Sequence, residues 1–85
     1  MQISLHRNFL KGYIKLPKKI QEKFKEKRNL FVENKFNPIL NNHSVEKRFP
    51  DCRSINITGD YRVIFKEEKN DVCIFMNIGT HSELY

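Results

Sequence analysis

A few side chains in this 85-residue sequence could do chemistry. Histidine holds or gives a proton near neutrality. Two of the three histidines, His43 and His81, lie outside any strong helix or strand pattern. Arg62 sits near the head of an alternating stretch, where a guanidinium could meet two phosphate oxygens in plane. Asp60, two residues earlier, could accept a proton, and Tyr61 and Tyr85 offer aromatic faces for stacking on a base. Each also has an ordinary explanation. His43 and His81 could be exposed loop histidines, Asp60 a turn residue, Arg62 a strand cation paired with Glu67 or Asp60, and Tyr61 core packing. Cys52 and Cys73 form no CxxC pair, and with the histidines they give no metal-ligand spacing, so no cofactor is expected. Both cysteines read as free thiols in or near a core.

The charge is unevenly placed. The net charge is +6, yet residues 1–48 carry 12 Lys/Arg against 4 Asp/Glu, and residues 49–85 carry 4 against 6. A basic half favours a polyanionic partner, because neutralising phosphates releases counterions. A solvated helix surface explains the same charges equally well. No stretch is apolar and long enough to cross a bilayer, and there is no charged n-region followed by an apolar core, so a cytoplasmic protein is expected. At this length one domain over residues 1–85 is expected, burying roughly 60–65% of its unfolded surface. The hydrophobic fraction of 39%, with seven Phe, is enough to fold.

The elements that must position these residues follow from periodicity. Gln2 to His6 alternates and predicts a short strand. Arg7 to Leu16, with Phe9, Tyr13 and Leu16 at helical spacing, predicts a helix despite Gly12. Pro17 predicts the opening of a second helix to about Glu33, since its missing N–H costs nothing at a helix start. Ile20, Phe24, Leu30 and Phe31 form its apolar stripe, and lysines fill the other faces. Asn34 to Asn42 reads as a loop with Phe36, Ile39 and Leu40 tucked inward, and His43 to Asp51 as irregular. Three strands follow: Arg53 to Ile57, Tyr61 to Lys66, and Val72 to Ile78, the last ended by Gly79. In it, Val72, Ile74, Met76 and Ile78 should face one way, Cys73, Phe75 and Asn77 the other. The expected fold is therefore α+β, β-α-α-β-β-β, an antiparallel sheet with two helices packed on one face and the other face free for a ligand.

Three segments are more specific than the element order. Asn41-Asn42-His43-Ser44-Val45, the run from Arg53 to Phe65 containing Gly59-Asp60-Tyr61-Arg62, and Ile78-Gly79-Thr80-His81-Ser82-Glu83-Leu84-Tyr85 resemble, in order, three motifs of the RelE/YafQ family of type II toxin–antitoxin toxins, within the RelE/ParE superfamily. The N-terminal half is similar only in pattern. The resemblance implies a microbial-ribonuclease-like fold, an endoribonuclease that cuts messenger RNA on the ribosome, and an antitoxin protein that silences it in a hetero-oligomer.

The roles it implies are specific. Cleavage by attack of the 2′-OH needs a base, a stabiliser of the phosphorane and an acid for the leaving 5′-oxygen. His81 would be the acid and Arg62 the phosphate ligand. Asp60 and His43 are alternatives for the base, and Tyr85 would stack on a base or orient the phosphate. Arg53, Asn56 and Tyr61, with Lys18, Lys19 and Lys23 of the second helix, would contact RNA. One departure stands out: YafQ-like toxins carry a histidine where this chain has Asn56, which cannot transfer a proton near neutrality. The lysine pair that RelE uses in the strand before is also missing. Two other readings stay open: a ParE-like toxin that poisons DNA gyrase by binding alone, and a weakened toxin that retains antitoxin binding.

Overall fold

The computed structural model describes residues 1–85. Strand β1 (Gln2–Leu5) leads to helix α1 (Arg7–Tyr13) and helix α2 (Lys18–Glu33), then a 3₁₀ turn (Pro38–Leu40). Strands β2 (His43–Ser44), β3 (Cys52–Asn56), β4 (Tyr61–Glu68) and β5 (Val72–Thr80) follow, and a short helix α3 (His81–Leu84) ends the chain. The strands form one sheet in the order β1-β5-β4-β3-β2. The α+β architecture is as expected, with one change of direction. β1 runs parallel to β5, Gln2 beside Val72 and Leu5 beside Phe75, so the sheet is antiparallel everywhere except at this edge. α1 and α2 supply the crossover that a parallel pair requires.

Helix α1 is capped by His6, whose Nδ1 accepts from Asn8 N–H at 3.0 Å. It stops at Tyr13, three residues before the expected end at Leu16, because Lys15 and Leu16 turn back onto Gly12 and Tyr13 in tighter bonds ahead of Pro17. Pro17 is the cap of α2 rather than its first helical residue. Gly12 serves packing. A Cβ there would lie 2.7 Å from the Ile78 carbonyl oxygen, so α1 sits directly on the backbone of β5. Alanine is the better helix former by about 1 kcal/mol. At this site, though, the obstacle is a strand carbonyl within the β4–β5 ladder, which moves only at a cost of about 1–3 kcal/mol. Gly12→Ala is therefore expected to lower the midpoint of urea unfolding; a raised midpoint would show that propensity wins.

The main core lies between the helices and the sheet: Phe9, Phe24 and Phe31 from the helices meet Ile55, Val63, Phe65, Cys73, Phe75 and Ile78. Ile78 joins Cys73 and Phe75 against expectation. The β4–β5 register pairs Phe65 with Phe75 but Ile64 with Asn77, leaving Met76 as the extra residue of a bulge. The bulge shifts the alternation by one, so every later residue of β5 changes face. A smaller cluster lies on the opposite face: Val45, Cys52, Ile64 and Leu84, with Phe49 and Met76 against them. Each cluster holds one free cysteine, and burial pushes both thiols up. In the expected loop only Leu40 turns inward; Phe36 and Ile39 are 61% and 62% exposed. β5 continues through Gly79 to Thr80, and the helix α3 begins at once.

Candidate active site

The face of the sheet turned away from α1 and α2 carries the candidate site. Strand register decides which residues it holds. His43 pairs with Ser54, Ser54 with Ile64, and Asn56 with Arg62. Paired residues point to the same side, and alternate residues along a strand do as well. Ile64 lies in the open-face cluster, so His43, Ser54, Asn56 and Arg62 share its face.

Arg62 is held by the turn before it. Its Nη1 donates to the carbonyl oxygens of Thr58 (3.0 Å) and Tyr61 (3.3 Å). These bonds use only Nη1, which leaves Nε and Nη2 as a fork for an anion. Glu67, a possible partner for Arg62, instead pairs with Lys35 Nζ at 3.2 Å. His43 is oriented too: its Nδ1 lies 2.7 Å from the Asn41 carbonyl oxygen. A carbonyl can only accept, so Nδ1 carries a hydrogen, and in the neutral ring the lone pair is on Nε2. Asn41 takes a left-handed conformation, φ 48°, to present that carbonyl, one that asparagine tolerates better than most residues.

His81 opens α3. Its backbone N–H donates to the Asp60 carbonyl at 3.0 Å, which ties the end of β5 to the turn beside Arg62. Its ring is exposed and stacks on Tyr85 with centroids 4.7 Å apart. The stack depends on α3, and α3 on a capping box. Thr80 Oγ1 accepts from Glu83 N–H at 3.2 Å, and Glu83 Oε1 accepts from Thr80 N–H at 2.7 Å. The bond from the Thr80 backbone, followed by that from its side chain, holds the Glu83 carboxyl below its ordinary value. A carboxyl lowered on folding adds stability above its unfolded value, and that stability is lost as pH falls through the folded value. Acidification below the ordinary glutamate range is thus expected to loosen α3 while the rest of the fold persists. An NMR titration of the Thr80 and Tyr85 amides should show this loosening in the wild type and not in Glu83→Gln, whose amide accepts the same bond uncharged. Equal curves for the two would refute it.

Several candidates sit elsewhere. Arg53 pairs with Ser44 on the helix side and donates through Nε to Asn42 Oδ1 at 2.7 Å. It fastens the loop that carries His43 instead of pointing at the open face. Tyr61 packs against the helix-side core. Lys18, Lys19 and Lys23 are exposed on α2, which buries Phe24 and Phe31 on the other side of the sheet. The structure therefore does not bring these five residues to Arg62. Asp60 reaches the site by its backbone, and its side chain is exposed in the turn.

Two neighbours went unread in the sequence. Phe49 meets Tyr85 edge-on at 5.8 Å, from a segment read as irregular. Ser54 is fully buried, with no partner for its Oγ, and Asn56 Oδ1 beside it is likewise unpaired. Buried polar atoms are rarely left so, and both belong to the face that would take a ligand. The signal for Ser54 was its place two residues before Asn56 in an alternating strand.

A small sheet backed by two helices thus carries His43, Asn56 and Arg62 on its open face, with His81 and Tyr85 stacked at the end of β5. Residues 3–85 match the family described as ParE toxin of type II toxin-antitoxin system, parDE. The chain belongs to that family of type II toxin–antitoxin toxins. Its fold is similar to the crystal structure of YafQ from E. coli strain BL21(DE3), with a TM-score of 0.80 at 21% identity over 99% of this chain and 97% of that one. The toxin in the E. coli DinJ-YafQ complex gives 0.77 at 22% identity, again over 99% and 97%. The YoeB/ParE toxin from Agrobacterium tumefaciens gives 0.77 at 12% identity over 95% and 99%. At these identities the likeness speaks for the fold alone. No curated protein matches the sequence. No helix is long and apolar enough to cross a membrane.

Proposed function

We propose that this toxin is an endoribonuclease that cuts messenger RNA on the ribosome in the cytoplasm, and that a cognate antitoxin silences it as a toxin–antitoxin hetero-oligomer. The observation that carries the reading is the shared open face. Asn56 pairs with Arg62, His43 lies on the same face two strands away, and the backbone bond from His81 to Asp60 joins a second histidine to the turn before Arg62; these support the reading. His43 Nε2 takes the proton of the 2′-OH, a role its bonded Nδ1 leaves it free to play. The 2′-oxygen attacks phosphorus, the bond from phosphorus to the 5′-oxygen breaks, and protonated His81 gives its proton to that oxygen. The products are a 2′,3′-cyclic phosphate and a free 5′-OH. Arg62, through Nε and Nη2, neutralises the non-bridging oxygens as charge builds on them. Asp60 is the alternative base, although its exposed carboxylate lacks the orientation that His43 has. The lysines of α2 fit the ribosomal surface better than the scissile bond. The E. coli toxin YafQ crystallises with DinJ, which supports a protein partner here.

The test is induced expression followed by primer extension across a translated message. Arrested growth with cut message is expected; unchanged growth and intact message would sink the proposal. The family match favours a second reading, a ParE-like toxin that acts on gyrase by binding. Inhibition of supercoiling without RNA cleavage would decide for it. A chain that binds an antitoxin tightly yet harms no cell would mark the weakened toxin that Asn56 allows.

A further inference from the structure

At the edge of the open face, segment 44–49 forms a feature to which the proposed mechanism gives no role. The segment 44–49 folds against Tyr85 and borders a shallow, open depression of about 490 Å³ lined by Ser44, Val45, Glu46, Lys47, Arg48 and Tyr85. This is the size range of sites for small organic ligands. The segment is built to hold its shape. Arg48 and Phe49 donate backbone bonds to the Val45 carbonyl at 3.0 and 2.8 Å, and Val45 bonds across to Cys52. Glu46, the one acid in the lining, is turned back to accept from Asp51 N–H at 2.8 Å. Lys47 and Arg48 are left exposed as the free charges.

The aromatic groups run in a continuous column. His81 stacks on Tyr85, Tyr85 meets Phe49 edge-on, and the Arg48 guanidinium lies over the Phe49 ring at 5.6 Å. A cation beside stacked aromatics is what single-stranded nucleic acid binds, the rings taking bases and the cations taking phosphates. We infer that segment 44–49 and Tyr85 form a subsite for one nucleotide, the one on the 3′ side of the cut. Direction follows from the chemistry. His81 protonates the leaving 5′-oxygen, so the nucleoside bearing that oxygen lies beyond His81, towards Tyr85 and Phe49. Its base packs on the aromatic column, and Lys47 and Arg48 hold the next phosphate.

The inference rests on the nuclease reading for its polarity, and binding alone tests it. Two RNA probes carry a 2′-deoxy sugar at the attacking position and so cannot be cut. One ends at the phosphate to be attacked; the other continues with one more nucleotide bearing a 3′-phosphate. In NMR titrations of the labelled protein, the longer probe is expected to bind roughly tenfold tighter and to shift the amides of Lys47, Arg48 and Tyr85. The Lys47→Ala/Arg48→Ala variant, altered only at exposed side chains, should lose most of that gain. Equal affinity for the two probes, or a gain that survives in the variant, would overturn the subsite. Cleavage of the all-ribose RNA is scored separately. A chain that shows the gain but cuts nothing keeps the subsite and loses the nuclease.

Discussion

Replacing His81 with alanine is expected to lower message cleavage by about 100-fold or more, the usual scale for one acid–base group, with stability unchanged. The two halves of this expectation are separable because His81 is exposed and lies outside both core clusters. Its backbone bond to Asp60 survives the substitution, and the capping of α3 resides in Thr80 and Glu83. The side chain therefore contributes its stack on Tyr85 and little else to the fold. Arg62→Ala should cost a comparable factor, since one lost charge-stabilising group is worth about 100-fold or more. Arg62→Lys should recover only part of it, because an ammonium keeps the charge but not the planar fork. Primer extension in cells and single-turnover cleavage with purified protein measure these factors, and a urea curve checks the fold. If His81→Ala keeps its activity within about threefold, the proton comes from elsewhere and the assignment fails.

Alternation and proline placement carried most of the architecture. β3, β4 and β5 announced themselves by period-two patterns, and Pro17 marked the break between the helices. What stayed hidden depends on pairing. The four residues of β1 alternate, yet alternation says nothing about which strand lies alongside or in which direction. The bulge at Met76 exists only as a mismatch between two strands, and it sends Ile78 to the helix side. Helix α3 is too short for a periodic signal, although Thr80-His81-Ser82-Glu83 has the spacing of a capping box and could have been read as one.

The site divides along the same line. Arg62 and Asn56 lie on one face because strands alternate and their register opposes them. The same alternation turns Arg53 and Tyr61 away, which a motif read as a linear string does not reveal. Lys18, Lys19 and Lys23 lie a full layer away, since the apolar stripe of α2 must face the sheet. Charge in the sequence thus does not say which surface would meet a polyanionic partner. The open face holds His43 and one arginine, and the basic helices stand behind the sheet. A protein that cuts RNA while docked on a larger RNA surface needs both arrangements at once.

The sheet that presents the site is held by one ring more than any other, and Phe75→Ala is expected to destabilise the protein by about 3–5 kcal/mol. Phe75 is 0% exposed. Its ring lies 5.7 Å from Phe9, 5.9 Å from Phe24, 5.7 Å from Phe31 and 6.4 Å from Phe65. It thereby joins both helices to the neighbouring strand. Its backbone matters as well: the carbonyl accepts from His6 N–H at 2.9 Å where β1 hands over to α1. Truncation leaves a cavity ringed by four large aromatics, and each of these already packs against other core groups, so little can collapse into the space. Domains of this size have a total stability of roughly 5–15 kcal/mol, so the loss is a large share of it. The thermal midpoint should fall by roughly 15 °C or more, at about 4–8 °C per kcal/mol. Phe75→Leu, which refills most of the volume, should recover more than half of that. Calorimetry on the purified variants measures both. A Phe75→Ala protein that melts within about 5 °C of the wild type would mean that the aromatic cluster relaxes freely, and that the two layers are joined by something other than this ring.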